Sequence, residues 1–483
     1  MASPTSDQNN SRPLKPIPGS YGLPFFGALK DRHDYFYNQG QDEFFLSRIN
    51  KYGSTVFRTN MPPGPFISSN PKVIAVLDAV SFSVLLDNSK IEKRNVLDGT
   101  FMPSTSFTGG HRVCAYLDPS EPKHAAIKGF ILSTLASKHH TFIPLFRACL
   151  SELFANIEDN IRDNNVANFN DLSDNMSFNF VFNLFCDGNP TEHGLGPKAN
   201  IDFDKWLFFQ LHPLITLGLS KFLNLFEDLV LHTFPLPSFL VKSGYDKLYN
   251  AFYSSASVIL DEAENRFNIK RDEACHNLVF VAGFNAYGGM KALFPSLIKW
   301  VALGGESLHR QLADEIRTVV KEQGGVTITA LNKMSLTKSV IYEALRIDPP
   351  VPFQYGKAKE DMIVNSHDVA FQIKKGEMIF GYQPLATKDP RIFDNPEEFV
   401  SDRFVGEEGE KLLQYVYWSN GRETQNPTVD NKQCPGKDLV LLMCRVLLVE
   451  LFLRYDTFTI KASKLLLGSS VKFLSLTKAT TTI

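Results

Sequence analysis

Three observations in the 483-residue sequence predict a mainly α-helical fold with small β-sheets, built as one domain. Apolar residues recur at three-to-four spacing over His140 to Asn160, Asp246 to Glu264 and Leu308 to Glu322, and run nearly unbroken from Leu439 to Leu453. That is the period of helices with a buried face. Only short stretches alternate as strands do: Val56-Phe57-Arg58-Thr59, Pro65-Phe66-Ile67-Ser68, the positions Val369, Phe371 and Ile373, and Met378-Ile379-Phe380. No internal repeat and no long linker divides the chain, although its length alone would suggest about three domains. Pro16, Pro18 and Pro24 with Gly19, Gly22 and Gly27 mark an extended entry segment. Residues 1–13 read as a disordered tail and 14–483 as the domain.

The charges nearly cancel, 50 Lys and Arg against 52 Asp and Glu, so no basic field invites nucleic acid. Six cysteines (Cys114, Cys149, Cys186, Cys275, Cys434, Cys444) lack paired spacing, which points to a reducing compartment rather than a disulfide framework. Forty phenylalanines suit a well-packed helical core, with a lipid pocket as the second reading. The first ten residues hold no apolar run of the ~20 residues that span a bilayer, and no long Ser- and Arg-rich plastid leader. The expectation is a cytoplasmic or peripherally membrane-associated protein without a transmembrane anchor. An apolar surface near Phe25-Phe26 would make the contact with a membrane or lipid body.

The chemistry concentrates near the C-terminus. Cys434, in Asn431-Lys432-Gln433-Cys434-Pro435-Gly436-Lys437-Asp438, sits on a Cys-x-Gly turn that runs into the apolar helix and can offer iron one thiolate. Glu343-Ala344-Leu345-Arg346 puts a carboxylate and a guanidinium on one helix face. Ile392-Phe393-Asp394-Asn395-Pro396-Glu397-Glu398-Phe399, followed by Asp402-Arg403-Phe404, offers a second arginine to that structural ion pair. In this order the three segments resemble the cytochrome P-450 superfamily. The resemblance implies a single haem-thiolate domain, haem b as cofactor, and Cys434 as its metal ligand.

One departure narrows the resemblance. Ordinary members keep a glycine four residues before the cysteine, whereas here Gly421 and Arg422 stand 13 and 12 before Cys434, an insertion of nine counted from the glycine. Trp418-Ser419-Asn420-Gly421-Arg422-Glu423-Thr424 and the cysteine segment are similar to the plant group that metabolises fatty-acid hydroperoxides: allene oxide synthases, hydroperoxide lyases and divinyl ether synthases. The likeness runs from Leu14-Lys15-Pro16-Ile17-Pro18-Gly19 to the C-terminus.

In His276 to Gly289, where the superfamily's central helix crosses the haem, monooxygenases carry an acid-threonine pair that relays protons. This chain has Asn285 and Ala286. A carboxamide can hold a peroxide by hydrogen bonding but is a poor proton relay. The oxygen must then arrive already reduced, as a polyunsaturated fatty-acid hydroperoxide cleaved homolytically without NADPH, dioxygen or a redox partner. Leu97 stands where allene oxide synthases tend to place Phe, and Ala115 where many keep Ser. An aromatic face stabilises developing positive charge and leucine does not. The expectation is therefore a lyase that splits 9- or 13-hydroperoxides of linoleic and linolenic acid into aldehydes and oxoacids in oxylipin biosynthesis. An allene oxide or divinyl ether synthase is the alternative; a reductase-dependent monooxygenase and a non-catalytic haem carrier are more remote. The resemblance further assigns Lys93, His124, Lys128 and Lys432 to the haem propionates. Lys291 is a candidate partner for the fatty-acid carboxylate.

Overall fold

The computed structural model describes residues 12–68, 70–97, 101–465 and 468–480. One large apolar core runs through the helical part of the chain and gathers side chains from Phe107 to Phe473. At its centre lies a long, irregular helix: Arg271–Phe280, a π-helical stretch Val281–Tyr287, then Gly288–Leu303. The helix Lys437–Arg454 buries Met443, Cys444, Val446, Leu447, Leu448, Val449 and Leu451, a nearly all-round apolar surface. A helix of that kind is stable only when surrounded. Its one inward carboxylate, Glu450, is met by Arg147 at 2.6 Å and Arg454 at 2.9 Å.

Among the described residues the β structure lies in three small sheets. The five-stranded one runs in the order Val56–Asn60, Lys72–Val76, Met378–Tyr382, Phe353–Ala358, Ile91–Glu92. Its inner pair, Lys72–Val76 and Met378–Tyr382, is parallel, and the other pairings are antiparallel. Leu14–Lys15 adds to Ala370–Ile373 and Met362–Asn365, and a C-terminal hairpin, Tyr455–Lys464 with Ser469–Lys478, takes up Ala167–Asn168.

Two expected elements differ. Pro65 to Ser68 is a turn, and the strand lies at Lys72–Val76. Pro62, Pro63 and Pro65 have no N–H to give a ladder, which keeps this run out of the sheet. The expected helix at 246–264 is two, Phe239–Ser255 and Ser257–Phe267, meeting at Ala256 where the backbone leaves helical angles. At the N-terminus, residues 1–11 of the expected tail lie outside the described residues. Arg12 and Pro13 do not behave as tail: Arg12 donates to the His367 carbonyl at 2.8 Å, and the Pro13 carbonyl accepts from Ala370 at 3.0 Å.

Among the described residues no helix is long and apolar enough to cross a membrane. The surface nonetheless displays large apolar side chains along 217–240 and at Leu23, Phe25, Phe26 and Phe66. Arg32 ties these regions together, donating to the His232 carbonyl at 2.8 Å and pairing with Asp228, while Phe36 stacks on His232 at 4.0 Å.

Candidate haem site

The helix Ser335–Ile347 organises the approach to Cys434. Arg346 grips Glu343 with two bonds, Nε to Oε2 at 2.7 Å and Nη2 to Oε1 at 2.8 Å, and Arg403 adds its Nε at 3.0 Å to both oxygens. The Val400 amide donates to the same carboxylate at 3.0 Å. Both Glu343 and Arg346 are 0 % exposed. The spare guanidinium hydrogens of Arg346 go to the carbonyls of Thr387, Pro396 and Glu398. One buried carboxylate thus pins the whole segment 387–403, in the bidentate geometry that makes arginine–carboxylate pairs strong.

The same helix reaches the cysteine loop itself. Tyr342 donates its hydroxyl to Glu423 at 2.8 Å, and the Trp418 indole donates to the other oxygen of that carboxylate. Gln433 donates to the carbonyls of Arg422 (2.7 Å) and Gln425 (3.1 Å), and Lys437 donates to those of Glu423 (2.9 Å) and Gln425 (3.0 Å). The inserted residues therefore fold back as an internally bonded loop. A Cβ on Gly421 would come within 2.6 Å of the Gln433 side chain, so the close crossing of its two arms requires glycine there. Cys434 follows, only partly covered, immediately before the N-terminus of Lys437–Arg454. Burial raises its thiol pKa, while the Gly436 amide and the Lys128 ammonium favour the thiolate.

Around this loop the chain gathers cations that form no ion pair among the described residues. Lys128 donates to the carbonyls of Asn431 (2.8 Å) and Gln433 (2.6 Å). Lys432 donates to those of Ala115 (2.7 Å) and Leu117 (2.8 Å), and Lys93 donates to the side-chain amide oxygens of Gln354 (3.3 Å) and Asn420. Burial pushes Lys93 down to about 7 and Lys432 to about 8, and lowers Lys128. His124, bonded to the Val429 carbonyl at 3.1 Å, is driven to about 4 by burial and then by Lys432 and Lys128. The nearby carboxylate of Asp118 is already taken by the Lys93 amide at 2.7 Å. Uncompensated buried charge costs several kcal/mol. A group carrying two carboxylates, as haem does, answers that imbalance, and the residues present fit it. Lys93, His124, Lys128 and Lys432 thus converge on the cysteine loop, where the group would be held.

Hydrogen bonds bring the remaining sequence candidates beside this cluster. The Asn95 amide donates to the Tyr116 carbonyl at 2.9 Å, which sets the segment holding Lys93 and Leu97 against the turn Cys114–Tyr116 that holds Ala115. The Cys114 amide donates to Asn277 at 3.0 Å, and Tyr116 meets Phe280 edge to face at 5.6 Å, so the turn lies on the central helix. Asn285 follows Asn277 by eight residues, roughly 12 Å further along the axis. It sits in the π-helical stretch and is exposed, although Ala282, Gly283 and Tyr287 around it are buried. π-helical stretches inside α-helices are frequent at functional sites.

Lys291 is placed elsewhere. It pairs with Asp174 and, at 3.1 Å, with Asp204, which also accepts the Tyr287 hydroxyl at 2.8 Å. With two carboxylates neutralising it, Lys291 is not the partner of a fatty-acid carboxylate. Sequence reading also missed Glu423, Gln354 and Asn420. Asn420 and Glu423 flank Gly421-Arg422, and that adjacency was the available signal.

Residues 306–478 match the family model for Cytochrome P450. The chain is 59% identical over 97% of its length to "Allene oxide synthase 3" of Solanum lycopersicum, covering 96% of that protein. It is 52% identical over 97% of its length to "Allene oxide synthase, chloroplastic" of Arabidopsis thaliana, covering 90% of that protein, and 51% identical over 98% to "Divinyl ether synthase CYP74D3" of Nicotiana tabacum, covering 98%. Two expectations fall here. Seven relatives at 50 to 59% identity bear the name allene oxide synthase, which overturns the lyase reading. Leu97 and Ala115 are two positions, and a branch decided by the whole pocket does not follow from them. Four of those names include chloroplastic, which overturns the compartment expected from the N-terminal composition. With a haem-thiolate site around Cys434 and relatives of this kind along nearly its full length, the chain belongs to the plant family of cytochrome P450 enzymes that metabolise fatty-acid hydroperoxides.

Proposed function

We propose that the protein is a hydroperoxide dehydratase, which converts a polyunsaturated fatty-acid hydroperoxide into an allene oxide and water. When bound, haem with a thiolate ligand supplies cleavage of the oxygen–oxygen bond. The observation that carries the reading is Asn285, exposed on the π turn and followed by Ala286, with no acid-threonine pair to deliver protons. Its carboxamide offers both a donor and an acceptor to the peroxide and holds it in place. Such an enzyme needs neither reductase nor dioxygen, since the substrate brings its oxygen already reduced. The relatives' names support a plastid location.

The aromatic face that Leu97 lacks has a substitute. Phe284, next to Asn285 and only partly buried, lies in a near-parallel stack with Phe280 at 4.7 Å and 9°. A ring held rigidly there stabilises positive charge developing on the substrate carbon. Supplying the purified ferric protein with the 9- and 13-hydroperoxides and analysing products by mass spectrometry should yield α- and γ-ketols, the hydrolysis products of allene oxides. Phe284→Leu should lower the ketol share. Short-chain aldehydes as the main product of the wild type would refute the assignment, and divinyl ethers would move it to the activity named for the Nicotiana tabacum relative.

The apolar surface supports access to substrate from a lipid phase. Phe222 is 97 % exposed, Leu225 81 % and Phe26 69 %, on elements joined by Arg32. Burying such side chains in acyl chains stabilises association by about 1.5–3 kcal/mol each. Flotation with neutral phospholipid vesicles should recover the wild type, and a Phe222→Ser, Leu225→Ser double variant should stay in the dense fraction. Equal recovery of both proteins would remove this contact from the account.

A further inference from the structure

Away from the haem site, His111, Asp272 and His276 bring their ligand atoms within 4.8 Å of one another. Asp272 and His276 are four apart at the start of the central helix and share one face; His111 comes from the loop beyond the turn Thr105–Thr108. We propose that these side chains form a site for a transition-metal ion of the zinc class, bracing the start of the central helix against that loop. Two ligands one helical turn apart and a third from a distant segment are a common way to build a zinc site, and the His and carboxylate donors suit that ion.

The surroundings are those of a ligand set. The oxygen Oδ2 of Asp272 is hydrogen-bonded to Nε2 of His111 at 2.8 Å, a contact a shared ion would replace, and Oδ1 lies 3.6 Å from Nε2 of His276, beyond hydrogen-bond reach. Among the described residues Nε2 of His276 makes no hydrogen bond. Its other nitrogen, Nδ1, is bonded to the Tyr245 hydroxyl at 2.7 Å, and the Tyr249 hydroxyl donates to Asp272 at 2.7 Å. Such outer partners orient metal ligands. A Cβ at Gly109, whose φ is +61°, would fall 2.0 Å from Nε2 of His276. Only glycine leaves that nitrogen uncovered. Solvent reaches the cluster through Asp272, whose side chain is 59 % exposed.

The group Asp78, His367 and Asp389 has similar composition but is already spent. Asp78 accepts from Val80, Ser81, Thr55 and Ser366, and one oxygen of Asp389 accepts both the Ala79 amide at 2.9 Å and His367 at 2.6 Å.

The test uses the haem-loaded enzyme, stripped with a chelator, dialysed against micromolar zinc chloride and analysed for zinc and iron by mass spectrometry. The wild type should retain about one zinc per chain. His111→Ala and Asp272→Asn should each weaken binding tenfold or more, and Tyr249→Phe, which removes only an outer hydroxyl, about tenfold. The Soret band reports that each variant is folded. No zinc retained by the wild type, or undiminished retention by folded His111→Ala and Asp272→Asn, would overturn the proposal.

Discussion

Asn285→Ala should lower turnover of a fatty-acid hydroperoxide about 100-fold, the loss typical of removing one hydrogen-bonding group aimed at a reacting oxygen. The side chain stands exposed on the π-helical stretch, so its removal leaves no cavity in the core. The loss should therefore appear in kcat and kcat/KM, with haem content and thermal midpoint close to the wild type. Equal falls in both constants mark an interaction made in the transition state. A change confined to KM would mean that the amide only helps bind the acyl chain. Asn285→Gln keeps the amide but displaces it by a methylene, and should recover part of the rate.

Glu343→Ala has its largest effect on stability. It strands Arg346, fully buried, and Arg403 without their shared carboxylate, and it takes the acceptor from the Val400 amide. Removing one member of a buried ion pair costs about 3–5 kcal/mol, mostly because the remaining charge stays buried and unpaired. Urea unfolding should show that loss as a lowered midpoint. Purified protein should also carry less haem, because segment 387–403 and the cysteine loop are both held from the helix Ser335–Ile347. Arg403→Lys keeps the charge but not the fork, and should cost less. A midpoint unchanged in Glu343→Ala would show that the triad does not hold this region.

The features legible in the sequence were those whose chemistry is local or carried by a motif. Cys434 before an apolar helix, the Glu343–Arg346 pair at one-turn spacing, and alternation at Val56 to Thr59 each follow from neighbours in the chain. The partners of Lys291 did not: Asp174 lies 117 residues away, and nothing in Gly288-Gly289-Met290-Lys291 announces it. The π turn was equally hidden, since one extra residue in a helical turn leaves the apolar period nearly intact. Reading Leu97 and Ala115 as a switch failed for a related reason. A sequence names which residues line a pocket only by analogy, and Phe284 enters the account once its stack on Phe280 is seen. Proline worked against the strand expected at Pro65 to Ser68: Phe66 and Ile67 are apolar and suit a strand, but the prolines around them cannot join a ladder.

The central claim is that the substrate supplies oxygen already reduced to a site holding Asn285 rather than a proton relay. Its most direct measurement is the rate at which the purified ferric enzyme consumes a fatty-acid hydroperoxide under argon, without NADPH or any reductase. The account predicts the same rate as in air, unchanged when a reductase and NADPH are added. Turnover that requires dioxygen and an electron donor would contradict it.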